Sequence, residues 1–369
     1  MSLAIKQRLA SVWKTSRSTV AARLFLDRQA DYWMGQLDPA RSLSEGRARV
    51  LDVIDETSDT KTFVLRPNAR WRGHRAGQYA TVDVEIDGVR ARRCYSISSA
   101  PGAAHVAITV KHVPGGRVSG WMHQHVHRGD VLRLGLADGD FVLPAPAPAR
   151  LLLLSGGCGI TPVMSILRDL AARDAIDDVV FVHHARRRAD VIFAAELDEL
   201  AERHPGLRLC ICLDDDASAP RGFDEARFTR LVPDFAERST FLCGPAPLMD
   251  RVERLWQSSG ASAPLLRERF VAAPMLTATQ PANDVSVQVR LTRSQRGVVA
   301  AGAGSLLDQL ERAGERPMHG CRMGVCHTCK CTKRSGAVLN LRTGQVSREP
   351  DEEIQLCISV PQSDLELDL

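Results

Sequence analysis

The sequence contains no run approaching the ~18 uninterrupted apolar residues of a membrane span, so no segment is expected to cross a bilayer. Its start lacks a compact apolar core of about 7–15 residues, which argues against a secretory signal and makes a cytoplasmic location the expectation. Charge of one sign is missing too. Lys and Arg number 48 against 44 Asp and Glu, leaving a formal net charge of +4 over 369 residues, too slight to indicate a nucleic-acid partner. Without a secretory signal, the ten cysteines fit a reducing compartment better than a disulfide framework. What remains, 44% hydrophobic and 25% charged, is ordinary globular composition, and the length admits roughly two or three domains.

Four of the cysteines are spaced for chemistry. Cys321, Cys326 and Cys329 fall within Cys-Arg-Met-Gly-Val-Cys-His-Thr-Cys, and Cys357 stands apart in Leu-Cys-Ile-Ser-Val-Pro. C-x4-C-x2-C with one distant cysteine is the plant-type spacing for a 2Fe-2S cluster held by four thiolates. Gly320 and Gly324 bracket Cys321, which suits a backbone that bends tightly and brings N–H groups close to the cluster sulfides. The alternative is a structural zinc site, because four thiolates also suit tetrahedral Zn2+. Zinc motifs usually come as two C-x2-C-like knuckles, whereas three ligands share one loop here. Cys331 is left out, since a strand beginning beside it is expected to turn its side chain to the opposite face. Cys94, Cys158, Cys210, Cys212 and Cys243 sit mostly in apolar or glycine-bearing runs, where free thiols pack as small hydrophobes.

Upstream the texture changes twice. From Arg47 to about Leu143, short alternating runs such as Arg49–Ile54, Tyr79–Val84 and His105–Val110 are separated by turn signals, Gly88 among them, and predict a small antiparallel barrel. Pro144 to Pro148 reads as a linker. Beyond it the apolar strands Leu151–Leu154, Val179–Val182, Leu207–Cys212 and Thr240–Cys243 alternate with helical stretches, which predicts a parallel, doubly wound sheet. In the last segment Val285–Leu291 reads as a strand and Ser305–Arg312 as a short helix capped by Ser305. Residues 1–45 stand outside this order. Ile5, Leu9, Val12 and Trp13 share one helical face with Lys6, Arg8, Lys14 and Arg17 around it, which suits a helix packed on the first domain or one lying on a membrane surface.

Several short motifs punctuate these domains. Arg93-Cys94-Tyr95-Ser96 lies on a barrel strand, where alternation puts Arg93 and Tyr95 on one face. Gly115-Gly116-Arg117-Val118-Ser119 opens an expected helix and could bind an anion through its first amides or be a loop with a Ser cap. Gly156-Gly157-Cys158-Gly159-Ile160-Thr161-Pro162 follows the leucine strand, with Pro162 suited to a first helical turn. It is not the G-x-G-x-x-G dinucleotide pattern. Cys243-Gly244-Pro245 ends the last strand of that sheet, and Glu268 and Phe270 follow in Arg-Glu-Arg-Phe. Arg186-Arg187-Arg188 follows its second strand, either as a phosphate clamp or as solvated surface. His183 and His184 lack a partner at metal spacing and read as strand-end residues.

In their order and intervals these motifs resemble the ferredoxin–NADP reductase superfamily with a C-terminal plant-type ferredoxin, over about Arg47 to Leu369 and not over residues 1–45. The resemblance implies a multidomain fold: a helical extension (1–45), an antiparallel β-barrel flavin domain (46–145), an α/β doubly wound nicotinamide domain (146–272) and an α+β β-grasp ferredoxin domain (284–369). It implies that Arg93 pairs with flavin phosphate, Tyr95 stacks on the flavin ring and Ser96 bonds near flavin N5. Gly115, Gly116 and Ser119 would hold the pyrophosphate. Gly156, Gly157, Gly159, Thr161 and Pro162 would receive the nicotinamide nucleotide beside Cys243, Gly244 and Pro245, while Glu268 and Phe270 close the domain against the flavin. Ser96 and Cys243 are the expected catalytic pair, positioning nicotinamide C4 against flavin N5, with no acid–base dyad required.

The implied cofactors are FAD, preferred over FMN because the pyrophosphate motif is present, a 2Fe-2S cluster on Cys321, Cys326, Cys329 and Cys357, and NADPH, from Arg186, with NADH as the alternative. The implied acceptor is an oxygenase, hydroxylase or fatty-acyl desaturase component, with residues 1–45 a candidate for peripheral association at the inner face of a membrane. A reading from another class is a redox-sensing or zinc-stapled interaction protein on a degenerate reductase scaffold.

Overall fold

The computed structural model describes residues 29, 31–216, 220–270, 286–301, 304–320, 322, 324, 327–341 and 343–369. The expected amphipathic face of Ile5, Leu9, Val12 and Trp13 lies outside them, as do Cys321 and Cys326. Among the described residues no helix is long and apolar enough to cross a membrane.

Strands β1 (Arg47–Thr57), β2 (Thr60–Pro67), β3 (Tyr79–Ile86), β4 (Val89–Ser96), β5 (Val106–Lys111) and β6 (Val131–Asp138) form one antiparallel sheet in the order β4-β3-β6-β1-β2-β5. Ile97, one residue past β4, bridges Ile108 of β5, so the two edges meet and the sheet closes as a barrel. Alternation drives the closure: Phe63, Leu65, Val82, Ile97 and Ile108 turn inward and are buried. Asp87 and Gly88 join β3 to β4 with φ of 53° and 73°, the pair of positive values that matches a two-residue hairpin turn to strand twist. Helix α1 (Arg117–His125) covers one end, burying Val118 and Met122.

The second sheet is parallel, with β7 (Leu151–Gly156), β8 (Val179–Ala185), β9 (Leu207–Leu213), β10 (Ser239–Cys243) and β11 (Leu265–Glu268) in the order β11-β10-β7-β8-β9. Leu151 and Leu153 pack on one face with α2 (Ile160–Ala172) and α3 (Ala194–Arg203); Leu152 and Leu154 pack on the other with α4 (Glu225–Leu231) and α5 (Ala246–Ser259). Fully burying four such leucines contributes about 2 kcal/mol each, and only a sheet covered on both faces allows it. Phe141 and Leu143, read from sequence with the barrel, are buried in this second core, where Phe141 meets Phe241 edge-on at 5.3 Å. The proline segment is therefore pinned at its entry. Ser165 Oγ and Arg168 Nη1 on α2 also donate to the carbonyls of Ser99 and Ser98, at 2.7 and 2.6 Å, fastening this domain to the barrel.

The last domain is a mixed sheet of β12 (Val287–Leu291), β13 (Arg296–Ala300), β14 (Lys330–Ser335), β17 (Glu352–Gln355) and β19 (Leu365–Leu367), in the order β13-β12-β19-β14-β17. The central pair β12 and β19 runs parallel, and α6 (Leu306–Arg312) buries Leu306, Leu307 and Leu310 against the sheet. A smaller sheet of β15 (Val338–Asn340), β16 (Val346–Ser347) and β18 (Ser359–Pro361) sits beside it. This is the β-grasp arrangement.

Candidate functional site: a cavity shared by three domains

The three domains meet at one cavity of about 1310 Å³. The barrel contributes Arg93, Cys94, Tyr95 and Ser96 from the end of β4, with Lys111 and the Gly116–Ser119 turn. The parallel-sheet domain contributes Cys158, Thr161 and Arg267 to Phe270, and the ferredoxin-like domain contributes Gly324, His327, Leu341 and Ile358. Thus Arg93, Tyr95, Ser96, Gly116, Ser119, Thr161, Glu268 and Phe270, dispersed over 178 positions of sequence (93 to 270), line a single space.

Burial raises the pKa of the Tyr95 phenol, so the ring is neutral at its place in the wall. Ser96 Oγ and Glu268 Oε2 are buried at the same cavity without a hydrogen-bond partner. Leaving each unpaired costs about 1–3 kcal/mol, so a polar ligand group between them would complete the site. Burial lifts the Glu268 carboxyl to about pKa 8, and the Ser96 hydroxyl, close by but outside hydrogen-bond geometry, opposes this only in part. Cross-strand register sets Cys243 beside Glu268. Cys243 is fully buried, and its thiol is pushed well above its usual pKa, first by burial and then by the Glu268 charge. It is a neutral, small side chain and not a thiolate.

The strand order places β7 next to β10 with the chain winding outward on either side, and nucleotides bind open parallel sheets at such a switch point, beyond the carboxyl ends of the strands. Those ends are Gly156 and Cys243. The loops that leave them pack back to back: a Cβ on Gly159 would lie 2.3 Å from Cys243 O, and one on Gly156 would lie 2.7 Å from Leu248 Cδ2. Gly157 has φ +51°. Gly156, Gly157, Gly159, Pro162, Gly244 and Pro245 thus form the floor's backbone support and do not line the cavity. Gly115, with φ +73°, makes the turn before Gly116, the N-cap of α1. Ser119 Oγ accepts the amide of Val113 at 3.2 Å and holds that turn.

Arg186 lies outside the cavity wall. It is 68% exposed, with Asp59 at 3.8 Å and Asp190 at 3.5 Å. His183 is buried, bonded through Nδ1 to Ser155 Oγ at 2.9 Å, and burial drops its pKa to about 3. It is a neutral core histidine, as is His184 at about 4. Sequence reasoning missed Lys111, Arg267, His327 and Ile358 as lining residues, because no local pattern marks a side chain that reaches a site formed by another domain.

At the cluster loop, Cys329 and Cys357 are buried with their sulfurs 3.2 Å apart, well beyond the ~2.05 Å of a disulfide. Gly324, at φ +72°, donates its amide to Cys357 Sγ at 3.2 Å and passes so close to Ile358 that a Cβ would lie 2.7 Å from its Cδ1. Cys329 Sγ donates to Cys357 Sγ, so the two sulfurs are paired within the core, and an amide turned inward onto a cysteine sulfur is an arrangement that suits an iron–sulfur centre. Cys331 takes another direction. Its thiol contacts Thr332 O on β14, and burial raises its pKa to about 11. Among the described residues no group of three metal-ligating side chains occurs.

A barrel with a turn at a helix N-terminus, a parallel sheet with a glycine-lined switch point and a β-grasp domain with paired buried thiols, all opening on one cavity, define a flavin-dependent pyridine-nucleotide reductase fused to a ferredoxin. Residues 47–142 match the oxidoreductase FAD-binding domain, residues 153–254 the oxidoreductase NAD-binding domain and residues 289–362 the 2Fe-2S iron-sulfur cluster binding domain. An NADPH oxidoreductase of Mycobacterium tuberculosis is 39% identical over 362 residues, covering 97% of this chain and 93% of that relative. The glycine betaine monooxygenase reductase subunit of Pseudomonas aeruginosa is 34% identical over 345 residues, covering 87% and 94%. Phthalate dioxygenase reductase is similar in structure, with a TM-score of 0.61 and 25% identity over 88% of this chain and 97% of that one. The chain belongs to the ferredoxin–NADP reductase superfamily, among the reductases that carry a C-terminal 2Fe-2S domain. It is an NAD(P)H-dependent electron-transfer oxidoreductase whose cofactors are FAD and a 2Fe-2S cluster.

Proposed function

We propose that this reductase takes electrons from NADPH and delivers them through FAD and the cluster to the oxygenase component of a multicomponent system, a hydroxylase or fatty-acyl desaturase being variants of that acceptor. The observation that carries the reading is the single cavity touching all three domains, with Tyr95, Ser96, Glu268 and Ile358 in its wall. The names of the relatives support the acceptor class, since one is the reductase subunit of a glycine betaine monooxygenase. Bound FAD converts the electron pair of a reduced nicotinamide into single electrons that an iron–sulfur cluster can accept.

The residues supply position. Tyr95 offers a neutral ring face, Gly116 to Ser119 a set of helix-start amides for the pyrophosphate, with Gly115 making their turn and Arg93 at the edge to pair with phosphate. Thr161 in the cavity wall receives the nicotinamide nucleotide, on a backbone turn shaped by Gly156, Gly157, Gly159 and Pro162 that packs against Gly244 and Pro245. Ser96 and Cys243 set the reacting ring. Glu268 holds a proton at neutral pH and can donate it to an acceptor atom on the bound ring, with Phe270 closing the wall. Cys321 and Cys326 complete the ligand set begun by Cys329 and Cys357.

NADPH preference rests on Arg186, whose exposed guanidinium would leave Asp59 and Asp190 for a ribose 2′-phosphate. Arg186→Ala should raise the KM for NADPH by roughly 10- to 100-fold with little change for NADH; an unchanged ratio removes the basis for the preference. A peripheral role for residues 1–45, on a membrane or on the acceptor, is supported by the exposed side chains Tyr32, Trp33 and Leu37, and unchanged association after deletion of 1–45 would sink it. The function as a whole is tested by the spectrum of the purified protein and a panel of oxygenase and desaturase components. Flavin bands with broad iron–sulfur absorption, bleached by NADPH, and reduction of at least one component are expected. A colourless zinc protein refutes the reading.

A further inference from the structure

We propose that Arg92 is a positioning residue that clamps the cysteine loop of the ferredoxin domain onto the flavin barrel and so sets the geometry of electron exit from flavin to cluster. Arg92 and Asp83 are cross-strand partners on β4 and β3. The Asp83 carboxylate is buried, and the guanidinium forks onto it, Nε to Oδ1 and Nη2 to Oδ2 at 2.6 Å. A bidentate pair of this kind fixes the guanidinium plane. With two nitrogens so held, Nη1 is aimed at the ferredoxin domain and donates to Thr328 Oγ1 at 3.3 Å, one residue before the buried Cys329.

The next residue reaches the other flank of the same loop: Arg93 Nη1 donates to Gly320 O at 3.0 Å, one residue before Cys321. Two consecutive residues of β4 thus grip the cysteine loop at both ends, and β4 itself runs on into Tyr95 and Ser96 at the cavity. Unlike Arg93, Arg92 does not line that cavity, so its role is separable from cofactor binding. No sequence motif marks it, because its partner is 236 positions away.

The inference rests on the reading of the cavity as the flavin site. The step it governs is a transfer in which reduced flavin loses one electron and the cluster gains it, with no bond made or broken. A misplacement of about 1 Å can cost on the order of 100-fold where two reacting centres must be held in register.

The test uses the full-length holoprotein. Arg92→Gln alone would strand the buried Asp83 charge, so it is paired with Asp83→Asn to keep the fold, and Thr328→Val serves as a second variant that leaves the ion pair intact. Rapid mixing with NADPH should show flavin reduction within roughly twofold of wild type and cluster bleaching slowed by about tenfold or more. Direct flavin oxidation by ferricyanide should be unchanged. Independently, hydrogen exchange of amides 327–331 in the flavin-free protein should quicken while the melting temperature holds. Wild-type bleaching rates and exchange in both variants overturn the clamp, as does equal slowing of flavin and cluster reduction. Wild-type protein that binds no flavin overturns the cavity reading itself, a result seen before any variant is made.

Discussion

Glu268 shows how one residue can carry a measurable trace of the site. Its carboxyl is raised from 4.5 to about 8 by burial, so the folded protein retains a proton that the unfolded chain releases across that interval. Stability of the flavin-free protein is therefore full at the acid end and falls as pH rises from about 4.5 to 8. At about 1.4 kcal/mol per unit, the loss is on the order of 4–5 kcal/mol. Glu268→Gln keeps the shape and removes the ionisation, so its melting temperature should vary much less than wild type between pH 5 and 8; an identical slope in both proteins would show that this carboxyl is not the source. The sequence put Glu268 near the flavin through Glu-x-Phe, but its pairing with Cys243 and its desolvation arise from strand register and closure by two other domains.

At the scale of the element, local signals were most legible. Ser305 was expected to cap the helix of the last domain, and it does so as a capping box: its Oγ accepts the Asp308 amide at 3.2 Å while Asp308 Oδ2 accepts the Ser305 amide at 3.1 Å. Ser305→Ala should lower the stability of the ferredoxin domain by about 1 kcal/mol, read as an earlier urea midpoint for loss of cluster absorption. A midpoint that does not move would mean the helix is held by Leu306, Leu307 and Leu310 alone. The Asp-Gly hairpin between β3 and β4 was equally readable, because positive φ at both positions is a property of two adjacent residues. The end of the barrel was not: Phe141 and Leu143 alternate like strand residues, yet their side chains are buried in the neighbouring domain's core, and a hydrophobic pattern does not say whose core it fills.

For the whole molecule, barrel, parallel sheet and β-grasp domain follow one another in the chain, with the 2Fe-2S domain last. Cys357→Ser should abolish the iron–sulfur absorption while NADPH still reduces the flavin, as measured by the visible spectrum and by ferricyanide reduction; a variant that keeps the cluster signal would reassign the ligands. By itself the sequence determined the three domains in order and the cofactor classes, and it proposed the cysteine set, since each is written in spacings of a few residues where local geometry and chemistry are fixed by neighbours. Only the tertiary structure decided that the three domains share one cavity, that Cys243 lies beside Glu268, that the glycine loops of β7 and β10 pack against each other, and that Arg92 reaches Thr328. Those relations join residues tens to hundreds of positions apart, and they follow from strand order, register and domain packing, which no local pattern encodes.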